Sequence, residues 1–155
     1  MKFVADTMLG SLARWLRVMG YDVLYQSRYG PDDLERLVGE GRILLTRHRD
    51  LAASYGDALL LSGDRAGDQL SELGKLQTLA PDPARWFTRC LLCNVPLKNP
   101  SLEDVRENVP EYVLHQNASD IRFCPSCGRF FWPGTHRENM IGQLNAWGFG
   151  YEDSR

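Results

Sequence analysis

Four cysteines, arranged as two pairs with two residues between partners, are the side chains of this chain best suited to bind a metal. Cys90 and Cys93 form the first pair, and Cys124 and Cys127, followed by Gly128, form the second; the sequence has no other cysteine. Two such turns present four thiolates from opposite sides, as a tetrahedral structural Zn(II) site requires. The spacing therefore predicts a zinc ribbon, with a loop or small helix in the long segment between the pairs.

Two disulfides, or a redox-active pair, are the alternatives for these cysteines. The N-terminal segment breaks its apolar run at Asp6 and lacks a signal-peptide pattern. No apolar stretch approaches the ~20 residues that a membrane helix needs. We therefore expect a cytoplasmic protein without membrane contact, whose thiols stay reduced, and in that setting paired cysteines favour a metal. Redox chemistry would need only one pair.

Carboxylates that follow predicted strands are the second group of residues able to do chemistry. Asp6 ends the first apolar segment, Asp50 follows the third, Asp64 follows the fourth, and Asp32 or Asp33 precedes the second helix. Because ligands of parallel sheets gather at the carboxyl ends of the strands, these acids can share a hard cation, Mg(II) or Mn(II). Such an ion activates water and stabilises charge on a phosphodiester. Helix capping would explain the acids at 32, 33 and 64 without a metal.

Arginines near the same predicted edge are candidate phosphate ligands. The chain has 18 Lys and Arg against 20 Asp and Glu, a net charge of −2, so no overall positive field favours a nucleic acid. A polyanion would have to be held by a local patch or through metal ions. The guanidinium groups suited to bidentate phosphate contacts are those of Arg14, Arg17, Arg47 and Arg49. They are equally compatible with solvated charges on helix and loop surfaces.

The elements that must position these residues alternate along the first 80 positions. Short aliphatic runs predict strands at 2–5, 22–25, 43–45 and 58–61, with 77–79 as a candidate last strand. Helical spacing of apolar residues predicts helices between them, at 8–19, 31–39, 50–55 and 64–73, the first capped by Gly20. This order predicts the α/β class, with a mostly parallel sheet between layers of helices.

A Pro-rich break at 80–84 predicts two domains, 1–82 and 86–150. The second would hold the cysteine pairs, a strand ended by a turn over residues 129–136, and a final amphipathic helix at 138–147. Its aromatic residues Phe130, Phe131 and Trp132 suit two roles, as the small core of the ribbon or as platforms for stacked bases.

Three segments together resemble a known family. Residues 3–17 (FVADTMLGSLARWLR) with 20–22 (GYD), residues 41–47 (GRILLTR), and the cysteine pairs followed by residues 131–136 (FWPGTH) are similar to the PIN-like RNase domain named for the C-terminus of Mut-seven exonucleases. The resemblance covers about residues 2–147. It implies a PIN-like three-layer α/β/α sandwich, a divalent-metal ribonuclease activity and a C-terminal zinc ribbon. By position it implies Asp6 as a metal ligand and Asp33 as a second.

His48 departs from the family pattern, in which Asp usually follows the Thr-Arg pair. Imidazole can bind Mn(II) but is a poor Mg(II) ligand. Three explanations stay open: Asp50 supplies the missing carboxylate, the site is weakened, or the protein binds RNA without cleaving it.

The leading hypothesis is a metal-dependent ribonuclease that hydrolyses RNA phosphodiester bonds. Its catalytic residues would be Asp6, Asp33 and Asp50, which with Asp64 would hold Mg(II) or Mn(II). Its RNA-binding residues would be Arg14, Arg17, Arg47 and His48. Two alternatives are an RNA-binding or adaptor protein with a weakened metal site, and a structural module whose zinc ribbon binds a protein partner.

Overall fold

The computed structural model describes residues 1–76 and 78–150, and the chain divides into two compact units, Met1–Phe87 and Thr88–Arg155. Over the described residues, no helix combines the length and the apolar character that crossing a membrane requires.

A four-stranded parallel sheet forms the centre of the first unit, as the sequence predicts. The strands are β1 (Lys2–Ala5), β2 (Asp22–Tyr25), β3 (Ile43–Thr46) and β4 (Leu59–Leu60). Their order is β2-β1-β3-β4, so β1 is internal and pairs with both β2 and β3. The chain changes direction across the sheet between β1 and β3. In open parallel sheets, the carboxyl ends of strands at such a switch point form a ligand-binding crevice.

Helices cover both faces of this sheet. They are α1 (Gly10–Val18), α2 (Asp33–Gly39), α3 (Arg49–Ala53) and α4 (Ala66–Lys75). On one face, Val4 and Leu44 pack with Leu37 of α2 and Leu51 of α3. Because side chains alternate along a strand, Phe3, Ala5 and Leu45 project to the other face, and all three are fully buried. There α1 and α4 contact each other through their buried leucines. The predicted α/β sandwich is therefore confirmed.

Gly20 ends α1 in the way that the sequence predicts. Its φ angle is +92°, in the left-handed region that favours glycine. The N–H of Gly20 donates to the carbonyl of Arg17, and the N–H of Tyr21 donates to that of Leu16, which is the Schellman pattern of helix termination. This turn leads the chain directly into β2.

Several predicted boundaries differ from the structure. The helix predicted from residue 8 begins at Gly10, because Asp6 and Leu9 form a turn first, with the Leu9 N–H donating to the Asp6 carbonyl at 2.9 Å. The helix predicted from 64 begins at Ala66. The candidate strand at 77–79 is wrong for its described part: Thr78 and Leu79 are not in a strand, and the Thr78 N–H instead donates to Leu73. Position 77 lies outside the described residues.

Residues beyond 80 still belong to the first unit. The Ala80 N–H donates to the hydroxyl of Tyr21 at 3.0 Å, and the Phe87 N–H donates to the carbonyl of Val18 at 2.8 Å. A 3-10 turn over Pro83–Arg85 lies between these two attachments. The first unit therefore extends through Phe87, past the predicted end at 82.

The second unit combines a two-stranded antiparallel ribbon with three helices. The strands are β5 (Arg122–Phe123) and β6 (Phe130–Phe131), and the helices are α5 (Leu102–Asn108), α6 (Glu111–Asn117) and α7 (Thr135–Ala146). The strand predicted within 129–136 is β6, and the helix predicted from 138 begins earlier, at Thr135. The segment between the cysteine pairs holds two helices rather than one loop or small helix.

A small hydrophobic core supports this second unit. Its buried members are Val105, Val109, Val113 and Ile121. Phe130 and Trp132 pack against them, and the ring of Phe123 stacks on that of Phe130. These contacts favour the core role of the aromatic residues over base stacking.

Candidate functional site

Asp6 lies where β1 ends, at the switch point of the sheet, and it is only 5% exposed. Its Oδ1 accepts a hydrogen bond from the Thr7 N–H at 2.6 Å, and its Oδ2 accepts one from the Thr46 hydroxyl at 2.8 Å. A buried carboxylate is costly unless it is hydrogen-bonded, and these donors meet that requirement. The strand end thus presents one acidic group in a fixed orientation.

Two tyrosines fix the backbone on either side of Asp6. The Tyr29 hydroxyl donates to the Ala5 carbonyl at 2.5 Å, and the Tyr25 hydroxyl donates to the Thr7 carbonyl at 2.9 Å. Burial raises the pKa of Tyr29 to about 12, with the nearby charge of Asp6 adding to the effect. The hydroxyl of Tyr29 therefore stays protonated and keeps donating at neutral pH.

Thr46 links Asp6 to His48. Its fully buried side chain donates to Asp6 Oδ2 and accepts from the His48 N–H at 3.0 Å. The His48 side chain is 55% exposed, and its Nε2 lies 3.6 Å from Asp6 Oδ2. The position where the family pattern has Asp is thus directly beside the buried carboxylate, and an imidazole occupies it.

An open groove of about 390 Å³ lies at the ends of β3 and β4. Its walls combine basic, polar and apolar side chains: Met8, Arg47, His48, Arg49, Leu60, Leu61 and Ser62. A second hollow, of about 670 Å³, shares His48 and Arg49 with it and adds Asp50. The two hollows are thus adjacent at the start of α3.

The other predicted carboxylates have local contacts or are exposed in this structure, and no contact with Asp6 is among those described. Asp33 accepts from the Gly30 N–H at 2.6 Å and lies 3.7 Å from Arg36, in the first turn of α2. Asp50 is exposed in the first turn of α3. Asp64 is 85% exposed and pairs with Arg47 at 2.6 Å.

No group of three or more His, Cys or carboxylate ligands converges around Asp6 within residues 1–76 and 78–150. Asp6 itself suits a divalent ion, as a buried and oriented carboxylate at the edge of an open groove. The predicted set of four carboxylates does not fit one ion as these side chains are placed.

The predicted phosphate-binding arginines differ in what they contact. Arg47 lines the groove, and its buried Nε has no acceptor among the residues described. Arg14 is exposed on α1. Arg17 is buried, and its Nε donates to the Val23 carbonyl at 2.9 Å, so it braces α1 against β2. Arg49, at the start of α3, lines both hollows.

Three residues near Asp6 were not anticipated from the sequence: Thr46, Tyr25 and Tyr29. Strand register gives a signal for two of them, because Ala5 pairs with both Leu45 and Tyr25, which places Thr46 and Tyr25 beside the end of β1. Tyr29 lies in the loop after β2, and no spacing rule indicates its contact with the Ala5 carbonyl.

The four cysteines form one cluster, consistent with a zinc ribbon. All four are unbridged thiols, and their sulfurs lie within 4.8 Å of one another. The disulfide alternative is wrong, since even Cys90 Sγ and Cys127 Sγ are 3.8 Å apart. Cys90 and Cys124 are fully buried, whereas Cys93 and Cys127 are half-buried.

Both cysteine turns have the same hydrogen-bond pattern. In each, the N–H of the second cysteine donates to the sulfur of the first at 3.4 Å. The residue after each pair, Asn94 or Gly128, has a positive φ and donates to the carbonyl of the first cysteine. Two equivalent turns therefore face one another, as a tetrahedral ion needs.

The thiols are electrostatically unequal without a cation. Burial raises the pKa of Cys90 to about 12, whereas the Arg129 N–H, donating to sulfur, lowers that of Cys127 to about 6. A bound cation would favour the thiolate form of all four cysteines, so metal binding would release protons.

Comparison with known proteins identifies one family. The family model described as Mut7-C RNAse domain matches residues 1–144, which covers the first unit and most of the second. No curated protein and no solved structure matches the chain.

Proposed function

This chain belongs to the Mut7-C RNAse domain family, and from that premise we propose that it is a divalent-metal-dependent ribonuclease that hydrolyses RNA phosphodiester bonds. The observation that supports this most is Asp6, a buried and hydrogen-bonded carboxylate at the switch point of the sheet, beside an open basic groove. Ligand sites of open parallel sheets lie at this place. The Cys90, Cys93, Cys124 and Cys127 thiolates would hold a structural Zn(II).

Asp6 would be the central ligand of a catalytic Mg(II) or Mn(II). When bound, such an ion supplies positive charge that stabilises the transition state of phosphodiester hydrolysis. Asp33, Asp50 and Asp64, which do not converge on Asp6 as their side chains are placed, would join this ion only after those side chains move. Asp64 can leave Arg47 at small cost, because an ion pair that is 85% exposed on one side contributes little.

The groove would hold the RNA backbone. Arg47 and Arg49 present guanidinium groups there, which suit charge-assisted hydrogen bonds to phosphate oxygens. A phosphate bound by Arg47 would replace Asp64 as its partner and free that carboxylate. Arg14 would extend the basic surface. Arg17, predicted as a phosphate ligand, would act through its contact with Val23, by keeping α1 and β2 aligned.

An RNA-binding or adaptor protein without cleavage is the second candidate function. It is favoured by His48, whose imidazole stands next to Asp6 where a carboxylate would complete a magnesium site. In this function the groove and its arginines would keep RNA affinity after loss of the hydrolytic step.

Incubation of the purified protein with labelled single-stranded RNA separates the two functions. We expect products with added Mn(II) and none with excess chelator. Binding without cleavage in every metal would favour the adaptor function. Neither binding nor cleavage would contradict both and leave a role in binding a protein partner.

A further inference from the structure

Asp6 and His48 are close enough to share one ion. Asp6 Oδ2 and His48 Nε2 are 3.6 Å apart. Metal–nitrogen and metal–oxygen bonds are about 2.1 Å for ions of this size, so twice the bond length exceeds the gap. A single cation can therefore contact both atoms without moving the backbone.

One buried hydroxyl group holds the side chain of Asp6 and the backbone of His48. The Thr46 hydroxyl donates to Asp6 Oδ2 and accepts from the His48 N–H. A carboxylate oxygen has two lone pairs, so Oδ2 keeps one for an ion after accepting from Thr46. The bond to Asp6 Oδ2 is of the kind that commonly fixes carboxylate ligands in protein metal sites, whereas the bond from the His48 N–H fixes the backbone that carries the imidazole.

The exposure of the pair leaves room for water. The Asp6 side chain is 7% exposed and that of His48 is 55% exposed, so the imidazole lies on the solvent side of the carboxylate. An ion between them would have protein on one side and the groove on the other. Solvent or RNA phosphate would complete its coordination.

We propose that Asp6 and His48 together bind a divalent first-row transition ion, of the class that accepts imidazole nitrogen, in preference to Mg(II). Hard Mg(II) favours oxygen ligands, whereas imidazole suits the transition ions. The inference rests on the proposed ribonuclease function, which gives the ion its role. It adds the class of metal ion that this function would use. Replacement of a family carboxylate by His48 thus changes the metal rather than removing it.

Pulsed electron paramagnetic resonance with Mn(II) as the probe tests this directly. The zinc-loaded protein is titrated with Mn(II), which binds cysteine thiolates poorly and so should leave the zinc site occupied. The bound Mn(II) is then examined for coupling to nitrogen-14. We expect nitrogen coupling in the wild type and none in His48→Asn or His48→Asp. His48→Asn should lower the Mn(II) affinity by more than the roughly 10- to 100-fold that loss of an outer hydrogen-bond partner costs.

His115 supplies a matched control. Its Nε2 also lies 3.6 Å from a carboxylate oxygen, that of Glu111, but both side chains are exposed, at 73% and 88%. His115→Asn should leave the nitrogen coupling and the Mn(II) affinity unchanged. Loss of the signal in this variant would place the bound ion in the second unit and overturn the inference.

Competition with Mg(II) completes the test. Excess Mg(II) should displace Mn(II) poorly from the wild type and readily from His48→Asp. Mn(II) bound without nitrogen coupling, or no Mn(II) bound at all, would overturn the proposal. RNA cleavage measured on the same samples separates the two claims. Cleavage with Mg(II) equal to that with Mn(II), without nitrogen coupling, would support the ribonuclease function and contradict this ion site. Nitrogen coupling without cleavage would support the ion site and contradict the ribonuclease function.

Discussion

The residues around Asp6 make hydrogen bonds to different groups, although all of them contact the carboxyl end of β1. Thr46 and Thr7 hold the carboxylate oxygens, while Tyr25 and Tyr29 hold the backbone carbonyls before and after it. The side chain and the main chain of Asp6 are therefore fixed independently. In the proposed active site, such fixing would keep the carboxylate in position without contacts from the substrate.

Tyr29 gives a prediction at alkaline pH. Its folded pKa is raised to about 12 from the ordinary value of 10.0, so the folded state holds this proton more tightly than the unfolded chain does. The contribution of this proton to the unfolding free energy is fully present below about pH 10 and is lost as the pH rises toward about 12. We expect the urea-unfolding free energy of the wild type to fall more steeply over this range than that of Tyr29→Phe.

The control for this prediction is Tyr112→Phe, since Tyr112 is 66% exposed. The unfolding free energy of Tyr112→Phe should depend on pH in the same way as that of the wild type. If the unfolding free energies of the wild type and of Tyr29→Phe fall equally steeply with pH over this range, the buried hydroxyl of Tyr29 does not make this contribution.

At the scale of elements, the strands and helices of the first unit could be predicted from the sequence, but the contacts between their side chains could not. Short aliphatic runs separated by helical spacing indicate β1 to β4 because burial on both faces of a parallel sheet demands such runs. The meeting of Thr46 with Asp6 depends on strand order and register, which arise from tertiary packing. The same holds for the side chains of Asp33 and Asp64, since local hydrogen bonds and an ion pair determine where they point.

The turn after α1 is the element whose geometry constrains the sequence most. Gly20 has a φ of +92°, and a Cβ added there would lie 2.6 Å from the Arg85 carbonyl oxygen. We expect Gly20→Ala to lower the unfolding free energy by at least about 1–2 kcal/mol, from the left-handed backbone alone. Denaturant unfolding measures this.

Gly39→Ala is the comparison for that turn. Gly39 is the last residue of α2, and nothing lies within 4 Å of an added Cβ. Alanine should leave stability unchanged or raise it by up to about 1 kcal/mol through helix propensity. Equal losses in the two variants would show that the turn after α1 is not specially constrained.

For the whole molecule, two units with separate cores explain why 155 residues carry two kinds of site. Cysteine spacing alone predicted the cluster, because four thiolates at one centre need two such turns. The helices α5 and α6 were harder to predict. Val105, Val109 and Val113 recur at helical spacing, but Pro110 interrupts the pattern and ends one helix before the next begins.

The cysteine cluster makes a prediction about the stability of the second unit. Elemental analysis should find about one zinc per chain, and Cys93→Ser should lose most of it and lower the melting temperature, because metal binding contributes folding free energy. Ser119→Ala, in an exposed loop of the same unit, should change neither quantity. Full zinc content and stability in Cys93→Ser would contradict a four-thiolate site.

The cleavage rate of Asp6→Asn under single-turnover conditions, with RNA bound and Mn(II) present, tests the proposed active site most directly. Asn keeps the size of the side chain and removes its charge, so we expect a loss of about 100-fold or more, as for other removed transition-state contacts. Asp57→Asn, at an exposed acid in a loop, should cleave at the wild-type rate. A wild-type rate in a folded Asp6→Asn protein would contradict cleavage at the end of β1.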